Sequence, residues 1–387
     1  MSGTDLYPRF SEAEFGRRYE LVRGLLADAG LDGLVVFGWS ALGRAAQADI
    51  HYLSNFLGMR DNYVLFPLEG DPTLFVQSFN HVPNAAVVAV IEDVRWGGND
   101  SGATIGEELA HRGLRQIGVV GLMPYQHHAS MGAAAADTDF RDVTAEFRRL
   151  RVTKSDEEVD WLRRGAAFTD AAMAALEKEL RPGLHEYELA DIVERAYTRD
   201  GGLTSFHYIA TTPMQTPDRC VPAQVLSSRV LQAGDVVTTE ISAGYGGYAG
   251  QALRTFTVAS DPTPEIAELH DVAESVYHRV VAAIRPGATQ VEVLDAADVI
   301  EERGFSIRDG LVHGFGIGIL PPSIRTRHTT HGEAPWTFER NQTVVIQPNV
   351  ITPDERLGVQ VGNLCVVGPD GCESLHRYPL RLVTTAG

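Results

Sequence analysis

Two stretches of this 387-residue chain repeat one another at an offset of 104 positions. Leu180-Arg181-Pro182-Gly183 precedes HEYELADIVERA, and Ile284-Arg285-Pro286-Gly287 precedes ATQVEVLDAADVIEE. Beyond the shared Arg-Pro-Gly, Glu188 aligns with Glu292 and Asp191 with Asp295. Proline cannot continue a helix and glycine takes positive φ freely, so each copy predicts a helix, a break and a second helix. Strand-like runs follow each copy. A duplication of this length implies two related α+β halves about a pseudo-two-fold axis, and the cleft between such halves is a natural pocket.

The first 150 residues read differently. Phe15–Asp28 has apolar residues at helical spacing and stops at Gly30. Gly33–Gly38, Tyr63–Pro67, Thr73–Gln77, Val87–Val94 and Ile117–Gly121 are short β-rich runs, and Thr144–Leu150 is helix-like. This alternation predicts an α/β domain over residues 1–150, followed by a second domain over 151–387. The boundary lies in RRLRVTKSDEEVDWLRRGA, where Ser155 and Glu158 form a capping box opening a long helix with Val159, Leu162 and Ala166 on one face. In the second domain, Gly234–Val258 reads as a hairpin, VVTTEIS and YAGQALRTFTV joined by GYGGY. Two further strand pairs are expected, LVHGFGIGIL at Leu311–Leu320 and TVVIQPNVI with GVQVGNLCVV at Thr343–Val367.

Composition narrows the function classes. No run of about 18 uncharged apolar residues is present, so no membrane span is expected. The polar N-terminus lacks the apolar core of a secretory signal. Fifty-one acidic against 33 basic residues disfavour a nucleic-acid binder, because phosphate contacts need a basic face. The basic residues are Lys154, Lys178 and 31 Arg, a bias that reads as genome composition rather than chemistry. Cys220, Cys365 and Cys372 are odd in number and lack CxxC spacing. They fit a reducing cytoplasm, and neither a disulfide framework nor a thiolate zinc site.

The layout resembles the pita-bread fold of the creatinase, prolidase and methionine aminopeptidase superfamily. HYLSNF at His51–Phe56 resembles a segment of the creatinase-type N-terminal domain, and Arg149–Ser155 resembles the linker that follows it. Arg229-Val230-Leu231 with Gly234-Asp235, Gly247-Tyr248, Arg254-Thr255-Phe256 and Asp370-Gly371 also match framework positions. The resemblance implies an α+β pita-bread domain behind an α/β N-terminal domain. It also implies a homodimer in which one subunit's N-terminal domain caps its partner's cleft.

The superfamily's peptidases hold two divalent ions with two Asp, one His and two Glu. Carried over residue by residue, these positions are Glu240, Gln251 eleven residues on, Ile317 in GFGIGI, Gln347 in QPN and Gly362 in QVGN. One carboxylate, two amides, an aliphatic chain and a hydrogen cannot offset the dehydration and mutual repulsion of two dications. No HExxH, CxxC or His-rich tract offers a substitute. The expectation is therefore no metal and no other cofactor. Creatinase has this fold without metal, but Ala223 stands where its catalytic His is expected.

Several residues are candidates for the site. Glu240 reads as a general acid or base in a desolvated cleft, or as a structural carboxylate paired with Arg254. Gln251 and Gln347 read as a hydrogen-bonding lining, or as satisfied core amides. The resemblance places a substrate-side His four residues before the metal-binding one, which is where His313 stands relative to Ile317. That makes His313 an acid/base or oxyanion-contact candidate. His207, in SFHYIATT, is a catalytic candidate at a strand end or a structural His. The long segment Leu320–Asn341 carries Arg325, Arg327, His328, His331 and Glu333, and its Arg pair suits a carboxylate. Arg60, in GMRDNY, resembles the position from which creatinase sends an Arg into its partner's site.

The glycine runs form no phosphate cradle, and no GxSxG or catalytic-thiol signature is present. The leading expectation is a metal-independent enzyme acting by general acid–base catalysis on a small polar, carboxylate-bearing molecule, through C–N hydrolysis, lyase or cyclisation chemistry. A catalytically silent binding or scaffold protein is second, and an Xaa-Pro dipeptidase third.

Overall fold

The computed structural model describes residues 6–39, 44–329 and 335–385. The chain divides into two compact units, Met1–Arg151 and Val152–Gly387. Among the described residues no helix is long and apolar enough to cross a membrane.

In the first unit the elements run α1 (Glu12–Ala29), β1 (Gly33–Gly38), α2 (Ala48–Ser54), β2 (Asn62–Pro67), β3 (Thr73–Val76), α3 (Val82–Val88) and β4 (Asp93–Trp96). They continue with α4 (Ser101–Arg112), β5 (Gln116–Val120), α5 (Tyr125–Ala134), β6 (Asp139–Asp142) and α6 (Thr144–Leu150). Ser11 caps α1, and Gly30 closes it at φ 65° in the left-handed region that glycine enters without steric cost. The six strands form one mixed sheet in the order β4-β3-β2-β1-β5-β6. Alternation along β1 sends Leu34 and Val36 into a core with Val22, Leu26 and Phe147, and Val35 and Phe37 into another with Ile105, Leu109 and Met131. Both faces are thus covered. The expected strand Val87–Val94 instead spans the end of α3 and the start of β4, because Val82-Pro83 opens a helical turn that the β-rich composition hides.

The second unit begins with α7 (Asp156–Glu179), α8 (Glu188–Arg195), β7 (Leu203–Pro213), β8 (Asp235–Tyr245) and β9 (Tyr248–Val258). It continues through α9 (Pro264–Ala283), α10 (Gln290–Ala297), α11 (Val299–Glu302), β10 (Ser306–Ile307), β11 (Val312–Gly316) and β12 (Gly318–Ile324). β13 (Thr343–Ile346), β14 (Val350–Ile351), β15 (Gly362–Val367), β16 (Cys372–Ser374) and β17 (Val383–Thr385) complete it. Both bonds of the Ser155–Glu158 capping box are present at the start of α7. A curled sheet runs β12-β11-β13-β15-β9-β8-β7, with β16 on β15 and β17 on β9. This is the α+β pita-bread fold. The strand pair expected over Leu311–Leu320 is present, β11 turning into β12 through Gly316-Ile317-Gly318, with Gly318 at φ 73°.

The repeat is visible in the hydrogen bonds. The Gly183 N–H donates to Leu231 O at 2.9 Å, and the Gly287 N–H to Phe338 O at 2.8 Å. Glu188 accepts from the His185 N–H at 2.6 Å, and Glu292 from the Thr289 N–H at 2.7 Å. Each copy therefore ties its Pro-Gly break to a later segment and caps its second helix with the aligned glutamate.

Helix α7 lies directly on β8 and β9. A Cβ on Gly165 would stand 2.5 Å from Tyr248 O, and one on Gly250 2.3 Å from Ala166 Cα, so only glycine permits this backbone approach. The Thr169 hydroxyl fills the seam, donating to Gly250 O at 2.7 Å and accepting from the Ala243 N–H at 3.0 Å. Ile241, Ala243, Ala252 and Phe256 pack with Met173 and Leu176 of α7. By strand alternation the opposite face of β8 and β9 presents Glu240, Ser242, Gln251 and Leu253.

Candidate active site

On that opposite face, strand register builds the site. Tyr208 pairs with Glu240, Glu240 with Leu253, and Leu253 with Gly362. Phe206 pairs with Ser242, and Ser242 with Gln251. His313 pairs with Val345, two residues before Gln347 on the neighbouring chain segment. Phe206, Tyr208, Glu240, Asp309, His313 and Gln347 line one cavity of about 340 Å3. Three expected site residues, Glu240, Gln347 and His313, thus meet here, with Gln251 behind them.

A continuous polar chain crosses the floor. The Gln251 amide donates to Glu240 Oε1 at 2.5 Å and reaches Gln347 Oε1 at 3.5 Å. The Gln347 amide donates to Gly310 O at 3.1 Å and to Asp309 Oδ2 at 3.3 Å. Gln251 Oε1 and Ser242 Oγ are buried without a hydrogen-bond partner among the described residues. Burial pushes the Glu240 carboxyl up to about 8, and the Asp309 charge adds to the shift. Glu240 is therefore mostly protonated at neutral pH. Burial lowers the pKa of His313, opposed in part by the Gly314 carbonyl, Asp309 and Gln347. With Nδ1 donating to Gly314 O at 3.1 Å, neutral His313 keeps Nε2 as an acceptor. The Tyr208 hydroxyl is raised by burial, then by Glu240 and Asp309.

Other expected residues lie elsewhere. His207 sits between Phe206 and Tyr208 on β7, so alternation turns it to the helix-covered face. Its Nδ1 accepts from the Ser242 N–H at 3.3 Å and its Nε2 meets the Tyr197 hydroxyl at 2.7 Å. Both ring nitrogens are engaged in packing, and burial lowers the His207 pKa to about 4. Arg254 does not pair with Glu240. It is fully buried on the other face and donates to the carbonyls of Leu253, Gly362, Tyr378 and Pro379 and to Asn363 Oδ1. Arg327 pairs with Asp295 and Asp298 near α10, and Arg325 is exposed just beyond β12. Neither lines the cavity. Arg60 belongs to the first unit, where it is exposed beside a separate cavity bounded by Phe56, Asn62 and His81. His331 and Glu333 lie outside the described residues.

Asp309, Phe206 and Tyr208 were not among the sequence candidates. For Asp309 the available signal was an Arg-Asp-Gly turn immediately before the His313 strand. The Phe206-x-Tyr208 pair at strand spacing carried the other.

The sequence pattern of Metallopeptidase family M24 matches residues 160–369, and that of the Creatinase/Prolidase N-terminal domain matches residues 18–153. The chain belongs to family M24 and carries a creatinase/prolidase-type N-terminal domain. Among curated relatives, the probable dipeptidase PepE of Mycobacterium tuberculosis is 26% identical, covering 97% of this chain and 98% of that protein. The Xaa-Pro dipeptidase of Pyrococcus furiosus is 24% identical over 69% of this chain and 75% of its own. In fold, the chain matches the structure of an Xaa-Pro dipeptidase from Bacillus anthracis with TM-score 0.80 at 23% identity, over 96% of this chain and 99% of that one.

These findings correct the leading expectation. A metal-independent enzyme for a small carboxylate-bearing molecule is overturned by membership of a metallopeptidase family and by relatives named as dipeptidases. What the family supports is a peptidase-type hydrolase.

Proposed function

We propose that this chain is a peptidase-type hydrolase that takes short peptides of the Xaa-Pro class into the cavity beside Glu240. The observation that carries this reading is the coincidence of the M24 match with one cavity that has a polar floor and an aromatic wall. The Phe206 and Tyr208 rings stack 4.9 Å apart beside Glu240 and Gln347, which suits a ligand with an apolar ring and an amide edge.

The family implies a pair of divalent ions, and the residues of this cleft do not fit one. Glu240, Gln251 and Gln347 supply one carboxylate and two neutral amides, and Ile317 is a buried aliphatic residue in a turn. A Cβ on Gly362 would stand 2.5 Å from Ile346 O and 3.0 Å from both Gln347 Cα and Leu253 Cδ1, so no donor extends from there without a backbone shift. Among the described residues no group of three or more His, Cys, Asp or Glu is placed to hold a metal ion.

What the chain's own groups do follows from their state. Protonated Glu240, held by the Gln251 amide, is placed to give a proton to the nitrogen leaving a cleaved C–N bond. Neutral His313 offers Nε2 as an acceptor for water or a ligand N–H. Gln347 orients the ligand's amide edge. The chain acts as a homodimer in the cytoplasm in this reading, which light scattering on purified protein and fractionation of the native host would check.

The test is release of free proline from glycyl-, alanyl- and phenylalanyl-proline, with and without Mn2+, Co2+ or Zn2+. Proline release that Glu240→Gln abolishes is expected. No release under any of these conditions from folded protein would overturn the reading.

A further inference from the structure

We propose that Cys365 and Cys372 form a peroxide-responsive latch, a dithiol that closes into a disulfide and pins the β15–β16 hairpin. Neither thiol lines the cleft, so the inference stands apart from the peptidase reading.

Register sets the pair. β15 and β16 run antiparallel with Cys365 opposite Ser374 and Cys372 opposite Val367, across the turn Gly368-Pro369-Asp370-Gly371. Side chains alternate along a strand, so Cys365, Val367, Cys372 and Ser374 share one face, on which the two cysteines are diagonal neighbours. That face meets α9, whose Tyr277 hydroxyl lies 3.4 Å from Cys365 Sγ. The Cys365 thiol donates to the Asn363 carbonyl at 3.6 Å and is in hydrogen-bond contact with the Cys372 thiol. Both cysteines are free, Cys365 fully buried and Cys372 half-buried, so Cys372 is the one that solvent reaches. Among the described residues β16 pairs with β15 alone. A strand of 3 residues beside an exposed Pro369-Asp370 turn can shift enough to bring two touching sulfurs to bonding distance.

Hydrogen peroxide is the oxidant. The Cys372 sulfur attacks one peroxide oxygen, the O–O bond breaks, and the thiol proton leaves with the departing hydroxide as water. The Cys365 sulfur then displaces hydroxide from the sulfenic acid, forming S–S and breaking S–O, and its proton completes a second water. Two thiols give up two electrons, and one peroxide becomes two waters. The contact with Cys365, and then burial, raise the Cys372 thiol well above its usual range. Little thiolate forms, so closure is slow and answers sustained oxidation. Nor does a low-pKa thiolate favour the open dithiol, so the closed form resists weak reductants. Two sulfurs fall short of the tetrahedral set of a structural zinc, which leaves redox closure as the chemistry this pair can do. Cys220, buried beside Gly358 in another segment, serves as the internal reference thiol.

The test treats the full-length protein with excess hydrogen peroxide, quenches with catalase and counts free thiols in denaturant. Wild type is expected to lose two of its three thiols. Asp-N digestion, which cuts ahead of Asp370 and so between the two cysteines, should recover Cys365 and Cys372 as one linked pair of peptides. Dithiothreitol should restore every thiol. Closure should raise the melting temperature by a few degrees, because it restricts the unfolded hairpin. Cys372→Ser should keep both remaining thiols, Cys365→Ser should accumulate a sulfenic acid on Cys372 that dimedone labels, and neither should show the melting shift. The inference is overturned if folded wild type keeps all its thiols, if Cys220 enters the linkage, or if the linked form melts no higher than the reduced one.

Discussion

Glu240 on β8 and Gln251 on β9 face each other diagonally across one hydrogen-bonded hairpin, with the amide nitrogen 2.5 Å from the carboxyl oxygen. The pair couples a carboxyl that burial keeps protonated to an amide that also reaches Gln347. It defines the floor of the cleft, and the chemistry of the site depends on its protonation.

The Glu240 carboxyl rises from 4.5 to about 8 in the fold, so the native state binds this proton more tightly than the unfolded chain. Its contribution to stability is complete below pH 4.5 and falls as pH rises toward 8, by on the order of 5 kcal/mol. Glu240→Gln, a neutral isostere, should flatten the decline between pH 6 and 9 and raise stability at pH 9. Urea unfolding of both proteins across this range checks it, and parallel curves would refute the burial argument.

His207 shifts in the opposite sense, from 6.5 to about 4. A depressed histidine contributes stability above pH 6.5 that is lost as pH falls toward 4. His207→Gln should reduce this acid loss relative to wild type, while peptide affinity changes by less than about two-fold, or 0.4 kcal/mol. A large loss of affinity would return His207 to the site.

Arg254 is fully buried and holds four backbone carbonyls and Asn363. Arg254→Met leaves those acceptors unpaired in the interior, and a loss of roughly 3–5 kcal/mol is expected. Thermal and urea denaturation would measure it. A loss below about 1 kcal/mol would mean that the carbonyls find water instead.

Gly362→Ala forces a Cβ to within 2.5 Å of Ile346 O and 3.0 Å of Gln347 Cα. Overpacking at backbone contacts costs about 1–3 kcal/mol, and the shift should disturb Gln347 and weaken peptide binding as well. Calorimetric titration with glycyl-proline would show the second effect. Unchanged stability and affinity would mean that β13 and β15 are free to separate there.

Arg327→Ala removes ion pairs to Asp295 and Asp298 that are substantially exposed. The stability loss should stay within about 1 kcal/mol, and proline release should be unaffected. A fall in KM-dependent rate alone would instead assign Arg327 to substrate recognition.

Much of the fold was legible because it is written locally. The Arg-Pro-Gly repeat, the Ser155–Glu158 cap and the alternation along β8 and β9 each act within a few residues, so spacing alone predicts them. Val87–Val94 failed because a Pro-initiated helix and a strand abut within eight residues of β-rich composition. Leu311–Leu320 read as a strand pair because its glycines punctuate an apolar run, and β11 and β12 pair there.

The site divides along the same line. The sequence by itself determined which residue types stand at Glu240, Gln251, Gln347 and His313, and placed the first two on one hairpin. Tertiary structure decided that His207 faces away, that Arg254 serves carbonyls and that Arg327 serves α10. It also decided that Asp309 joins the cleft. Side-chain direction along a strand reverses at every residue, and partners from distant strands meet only when the sheet curls, so neither fact is carried by spacing alone.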